Sequence, residues 1–340
     1  MNILIGVDKE GEIPILSKYG ADEFFCGYLP ESWIAKYNKN FTDYGGYQEI
    51  FISLNRREKL TTNVKDKSSL EKMVQEAKER KVKLYLAINA VYFPGQSYPE
   101  MFDYLDEISQ IGIRDVIVAD LGLISLITDK YPHLNIILST CQQVNNSWTG
   151  KFYGELNIKR ITFPRHMTVN EITAIINANP DMEYEYFILE GKCVYDDGNC
   201  KVCHNIGGIC TEKFSYEYYH NQRGTELNYS EYQELCRNED IFNKWTFPSP
   251  KGYTINGWRN MGCAICTIPS LKQIPSIKAL KIATRGLSTK DKVGMVKFIK
   301  KAIRLAEEGA ERADLMKFGK ETFQWPELCD NKFRCLLAMR

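Results

Sequence analysis

Eight short apolar runs recur along the chain, beginning near Ile3, Glu23, Lys83, Arg114, Asn135, Lys159, Tyr184 and Ala279. Runs of this length predict buried strands, and most of the stretches between them carry apolar residues at helical spacing. SSLEKMVQEAKERK, YPEMFDYLDEISQIG, GLISLITDKYP, SWTGKFYGELN and TVNEITAIINANP each read as one amphipathic helix, the first capped by serine. Strand and helix alternating in this rhythm predict a parallel sheet. A doubly wound open sheet has the same alternation, but eight units are what a closed barrel needs. The expected fold is therefore α/β, a TIM-barrel-like (β/α)8 domain.

The same reading divides the 340 residues. Strands 1–7 fall in residues 1–190 and a cysteine-rich insertion or lid in 191–275. The last strand and a C-terminal helix follow in 276–340. The segment after strand 7 is too long for an ordinary barrel connection, and TELNYSEYQELCRNED is expected to be its helix. The late run KAIRLAEEGAERADLMK alternates charges and reads as a solvated helix face.

Barrel active sites form just past the carboxyl ends of the strands. Those positions hold Asp8, Tyr28, Asn89, Asp120, Gln142, Gln143, Asn145, Arg165, His166, Glu190, Cys193 and Arg285. An arginine there more often pairs with a neighbouring carboxylate than with a ligand, and an asparagine or glutamine often caps a helix. The set is nonetheless polar and ionisable, and it opens directly onto the insertion.

Seven of the eleven cysteines lie between Cys193 and Cys266. They run Cys193-x6-Cys200-x2-Cys203-x6-Cys210, then Cys236, then Cys263-x2-Cys266. Packing cysteines scatter, whereas clustered thiols at turn-sized spacings suit a metal, on which several thiolates must converge. Two Cys-x2-Cys knuckles would suit zinc, although their separation exceeds the usual ribbon. A four-iron, four-sulfur cluster also takes four thiolates and tolerates uneven spacing. A catalytic thiol would want a histidine base, and only His133, His166, His204 and His220 are present.

Lys plus Arg number 44 against 43 Asp plus Glu, a net charge of +1, so no global pull toward nucleic acid or an acidic membrane follows. No stretch approaches the ~20 apolar residues of a membrane helix, and the opening MNILIGVDKEGE lacks the features of a signal peptide. A cytoplasmic, non-membrane protein is expected, where clustered thiols read as metal-binding before disulfides. Cys26, Cys141, Cys236, Cys329 and Cys335 are read as free thiols by default. The pair Cys329-x5-Cys335 could form a second small metal site, although two cysteines alone define none.

EYFILEGKCVYDDGNCKVC resembles the signature of peptidase family U32, with Glu185, Phe187, Cys193, Gly198, Cys200 and Val202 in register. The resemblance continues through GADEFFCG, VIVADLGLI, LSTCQQVNN, RITFPRHMTVNEI and ALKIATRG, in the family's order, over residues 1 to roughly 300. It implies a barrel-like domain and, in several branches, an oxygen-labile four-iron, four-sulfur cluster. Carried over by position, the ligands are Cys193, Cys200, Cys210 and Cys266, with zinc as the alternative metal. Cys203, where the family has Ser, and Cys263 are extra to the pattern. The chain also departs from the family at Glu190-Gly191-Lys192, where Gly, a small and an aliphatic residue are usual. His166 and Ala283 each replace a Glu.

The family name implies a protease, yet no Ser-His-Asp arrangement, nucleophile elbow or HExxH motif is visible. Members with this cysteine pattern carry out oxygen-independent hydroxylation with prephenate proposed as oxygen donor. The resemblance thus implies an iron-sulfur-dependent modifying enzyme acting on an RNA base, a small aromatic or a peptide. Arg165, Lys281 and Arg285 would then bind donor carboxylates, while Gln142, Gln143 and Asn145 orient the acceptor. Related enzymes can work in pairs, so a homo- or heterodimer is among the expectations. The alternatives are a peptidase or peptide-processing protein, and a non-enzymatic binding module pinned by zinc or a cluster, with KFSYEYYHNQRG as a stacking surface. No catalytic residue is singled out.

Overall fold

The computed structural model describes residues 1–41, 47–50, 53–56, 62–191, 198–200, 219–220, 225–226, 228–246, 262–324, 326, 328–330 and 335–337. Eight parallel strands close into a barrel: β1 (Asn2–Gly6), β2 (Glu23–Cys26), β3 (Lys83–Ile88), β4 (Asp115–Val118), β5 (Asn135–Leu138), β6 (Ile158–Thr162), β7 (Glu183–Leu189) and β8 (Ile277–Ile282). Each strand pairs with its neighbours in sequence order, and β8 closes on β1 through Ala279 opposite Asn2 and Ile282 opposite Ile5. The expected (β/α)8 architecture is the one present, and the long connection does follow the seventh strand.

Helices cover the outside: α1 (Glu12–Lys18), α2 (Lys67–Arg80), α3 (Tyr98–Ile111), α4 (Leu121–Lys130), α5 (Ser147–Gly154), α6 (Val169–Ala178), α7 (Thr289–Glu307) and α8 (Arg312–Thr322). Their starts are chemically marked. Asp120 accepts the Leu123 amide at 2.6 Å, Asn146 caps α5, and Thr168 with Glu171 forms a reciprocal capping box on α6. The α2 cap is Asp66, which accepts from Ser69 N at 2.8 Å, rather than the serine expected. The charged run near the end is two helices instead of one face: the chain breaks at Gly309, φ +99°, and restarts at α8, whose capping box joins Glu311 and Asp314. In the insertion, a helix spans Tyr229–Thr246, starting four residues later than the sequence suggested.

The strand pleat separates two apolar cores. Ile3, Ile5, Phe24, Val116, Ile136 and Ile282 face the helices within one large cluster. Leu4, Phe25, Tyr85, Ile117, Ile137 and Ala279 fill the barrel interior as a second cluster. Ile265, Ile268 and Leu271, which follow the insertion, belong to the outer core.

Candidate functional site

Interior positions at the barrel's amino end are charged. Arg160, on β6, donates to Glu23 of β2 at 2.6 Å and to Glu183 of β7 at 3.1 Å. Tyr85 donates to the same Glu23 at 2.8 Å, and Asn2 at 2.7 Å. Burial alone would raise the Glu23 carboxyl, but the hydrogen bonds and charge of Arg160 outweigh it and hold it below the usual glutamate range.

One layer up, Lys281 Nζ lies 2.6 Å from Glu185 Oε1, which also accepts from Thr162 at 2.7 Å. Arg160 Nη1 stands 3.7 Å from the other Glu185 oxygen. Burial pulls the Lys281 ammonium below the ordinary lysine range. Glu185 opposes that, while the charges of Arg165 and Arg160 add to it.

The mouth is built from cations on aromatic faces. The Arg165 guanidinium lies 4.3 Å from the Phe187 ring centre. Lys281 Nζ sits 4.8 Å from the centre of Phe25 and 5.6 Å from that of Phe187. The Arg285 guanidinium lies 5.9 Å from the centre of the same Phe25 ring. Three cations thus converge on two rings at the carboxyl end of the barrel, an arrangement suited to a compact anion with an apolar body.

Arg165, Lys281 and Arg285, expected from the sequence to bind donor carboxylates, stand against the neighbouring rings of Phe25 and Phe187. Asn145 is solvent-exposed, just ahead of α5. Gln142 is held by the scaffold: it donates to the Ala119 carbonyl and accepts from Tyr153 Oη at 2.6 Å. Gln143 adopts a left-handed conformation, φ +46°, at the rim. Of the other rim positions, Asp120 is spent as a helix cap. Asp8 accepts from Lys292 Nζ and Gly286 N, each at 2.7 Å, and burial raises its carboxyl despite that lysine.

Two residues of the mouth were not foreseen. Asn55 and Asn63 are buried and bonded to each other at 2.8 Å. Both stand against Gly27, where an added Cβ would meet Asn63 Oδ1 at 2.1 Å and Arg285 Nη1 at 2.3 Å. They come from the long connection after β2, which reads as irregular in the sequence for its richness in Tyr, Asn and Gly but carries a helix, Glu31–Tyr37, and an antiparallel strand pair, Asn38–Phe41 with Tyr47–Ile50. At the β7–β8 seam, Glu190 is buried with φ +66°, and Leu189 accepts the Ala283 amide at 3.3 Å. A carboxylate thus sits on β7's end, one strand over from the position where the family pattern has its Glu.

Of the cysteines expected to hold a cluster, Cys193 and Cys210 lie outside the described residues, as does Cys203. Cys200 is half-buried. It follows Gly198, where a Cβ would touch the Gln143 side chain at 2.1 Å and the Cys141 carbonyl at 2.8 Å, so this end of the motif lies on the barrel rim. A thiolate donor set suits iron or zinc. Cys266 instead lines a cavity with Cys263, Cys329 and Cys335 beside α8.

Fold and mouth together define a (β/α)8 barrel with three cations gathered at the carboxyl end of its strands. The chain matches peptidase family U32 over residues 12–332 and belongs to that family. It is similar to tRNA hydroxylation protein P of Escherichia coli (strain K12), 28% identical over 156 residues, which cover 44% of this chain and 34% of that protein. It is 30% identical over 146 residues to tRNA hydroxylation protein P of Helicobacter pylori (strain J99), covering 40% and 34%. To tRNA hydroxylation protein P1 of Bacillus subtilis (strain 168) it is 26% identical over 154 residues, covering 43% and 36%. The matched stretch spans about a third of the length of these relatives. Among solved structures, that of the U32 peptidase Mk0906 aligns with a TM-score of 0.44 and 12% identity, over 84% of this chain and 94% of that one.

Proposed function

We propose that this chain is a tRNA-modifying hydroxylase whose barrel mouth holds a small carboxylate oxygen donor, with prephenate the donor the family resemblance implies. The observation that carries this reading is the convergence of Arg165, Lys281 and Arg285 on Phe25 and Phe187. Arg165 and Arg285 can each grip a carboxylate with paired N–H groups. Lys281 adds a buried positive charge, and the two rings receive the donor's hydrocarbon part. The relatives' names supply the acceptor class.

A base has to leave its stack to reach such a mouth, and exposed aromatic side chains are what RNA-modifying proteins offer an unstacked base. Trp148, 78% exposed at the start of α5, and Tyr92, 63% exposed in the loop after β3, both follow strands and so lie toward this end of the barrel. Lys151 Nζ is 5.8 Å from the Trp148 ring, adding positive charge beside it for the backbone.

A four-iron, four-sulfur cluster would be held by the Cys193, Cys200 and Cys210 thiolates, with the fourth ligand from Cys203 or Cys266. When bound, such a cluster supplies one-electron redox chemistry at the rim. The chain's own residues bind and orient the donor there and keep water from it.

The test is anaerobic incubation of iron-loaded protein with unmodified tRNA and prephenate, followed by mass analysis of the nucleosides. A nucleoside gaining one oxygen, dependent on prephenate and absent with Arg165→Ala, is the expected result. No oxygenated nucleoside, together with cleavage of a peptide library by the same preparation, would replace this reading with the peptidase one.

A further inference from the structure

Eight of the eleven cysteines fall into two sets of four, and the structure gathers the second set around one cavity against the carboxyl end of β7. Cys263 lies beside the end of β7, in a bridge opposite Leu189. The Ala264 amide bonds to the Ile188 carbonyl at 2.9 Å. Cys335 forms a second bridge to Cys263, and Leu336 N donates to the Cys263 carbonyl at 3.0 Å. Cys266 sits one turn on, in the 3-10 helix Ile265–Thr267, and Cys329 completes the group from the C-terminal segment. All four line one cavity of about 60 Å³, together with Arg312, Leu315 and Gly319 of α8. Each of the four is half-buried and unbridged by disulfide.

We propose that Cys263, Cys266, Cys329 and Cys335 form a structural zinc site that fastens the C-terminal segment to the end of β7. Cys263-x2-Cys266 has the spacing of a zinc knuckle, and four thiolates with no open position make a closed, non-catalytic centre. Four thiolates on one divalent ion leave two negative charges uncompensated. Arg312, which lines the same cavity, is placed to offset them. Among the described residues no three ligand side chains already converge at metal distance. The sulfurs line the walls, and χ1 rotation is the motion that turns them inward.

The site also ties Cys329 and Cys335 of the C-terminal segment to the barrel. Among the described residues of that segment Leu328 and Leu336 are buried, and a metal closing two distant pieces of chain adds stability to their packing. The assignment stands apart from the tRNA reading. It commits Cys266 to the pin, leaving Cys203 to serve with Cys193, Cys200 and Cys210.

The test is metal analysis of the full chain, produced with both zinc and iron supplied, against two variants. The unsubstituted protein should hold one zinc per chain. Cys329→Ser/Cys335→Ser should lose that zinc and keep whatever iron is bound, whereas Cys200→Ser should keep the zinc. Zinc retained in full by the double variant, iron lost from it in place of zinc, or a Cys263–Cys335 disulfide in the unreduced mass would each overturn the site. Should the double variant fail to fold, alkylation mapping on the unsubstituted protein decides. Cys263, Cys266, Cys329 and Cys335 should become reactive only after a chelator removes zinc, and equal labelling before and after would overturn the proposal.

Discussion

Arg160 reaches across the barrel interior to Glu23, 137 residues away in sequence, with Nη1 2.6 Å from Oε2. Both side chains are almost completely buried, so the pair is hardly screened by solvent. Removing one partner strands the other in the core, and such losses cost about 3–5 kcal/mol. Glu23→Ala should fall toward the lower end, because Arg160 keeps Glu183. The sign with pH follows from the depressed Glu23 carboxyl. Its stabilisation is complete above the ordinary glutamate range and is lost as pH falls through the folded-state value. Urea unfolding across the acid range should therefore show a steeper decline in the unsubstituted protein than in Glu23→Gln. Parallel curves would mean that Glu23 is not held ionised by Arg160.

Arg165 is stacked on Phe187 at the rim of the barrel, 4.3 Å from the ring centre, so its removal should be read in binding more than in folding. A charge-assisted hydrogen bond contributes about 1.5–3 kcal/mol, which corresponds to a loss of roughly ten- to a hundredfold in affinity for a carboxylate donor. Arg165→Lys should recover only part of this, since an ammonium neither forks around a carboxylate nor stacks flat on a ring. Calorimetric titration with prephenate measures both. An Arg165→Lys variant binding as tightly as the parent would argue for a simple charge in place of a paired grip.

Gly27 holds the other side of the mouth by having no side chain. Its backbone φ lies outside the left-handed range, so alanine meets no backbone strain but collides with Asn63 and Arg285 and crowds Asn55. Overpacking of this kind costs about 1–3 kcal/mol, and the side chain most able to move is Arg285. Gly27→Ala should therefore lower donor affinity by more than its modest fall in Tm would suggest. Unchanged affinity would show that Arg285 is not a contact of the ligand.

The barrel was legible because its signals are local: strand length, helical spacing and caps such as Thr168 with Glu171 all lie within a few residues of each other. Arg165 and Arg285 could be placed at the rim because they follow strands, whereas Lys281, inside the last strand, was singled out only through the family resemblance. What lay beyond the sequence was pairing at long range. Nothing local says that Glu23 meets Arg160, that Gln142 is tied down by Tyr153 from the next helix, or that Asn55 and Asn63 fold back onto Gly27. The association of Cys263 and Cys266 with Cys329 and Cys335 was hidden for the same reason: only the fold of the C-terminal segment brings the late pair to the end of β7.

Lys281 makes the mouth sensitive to alkaline pH. Burial disfavours its ammonium, and Glu185 at 2.6 Å only partly restores it. The folded chain consequently binds this proton less tightly than the unfolded chain does. For folding, the group's contribution is greatest above the ordinary lysine range and is lost as pH falls through the depressed folded value. Ligand binding runs the other way, because a carboxylate donor needs the charge that high pH removes. Donor affinity should therefore decline with rising pH earlier than an ordinary lysine would allow. Lys281→Met should bind weakly at every pH and show no such decline. A bound carboxylate should also draw the Lys281 value upward, so binding near the midpoint takes up protons, visible as a buffer-dependent heat. A flat affinity profile in the unsubstituted protein, with no buffer dependence, would remove Lys281 from the anion site and leave it as a structural partner of Glu185.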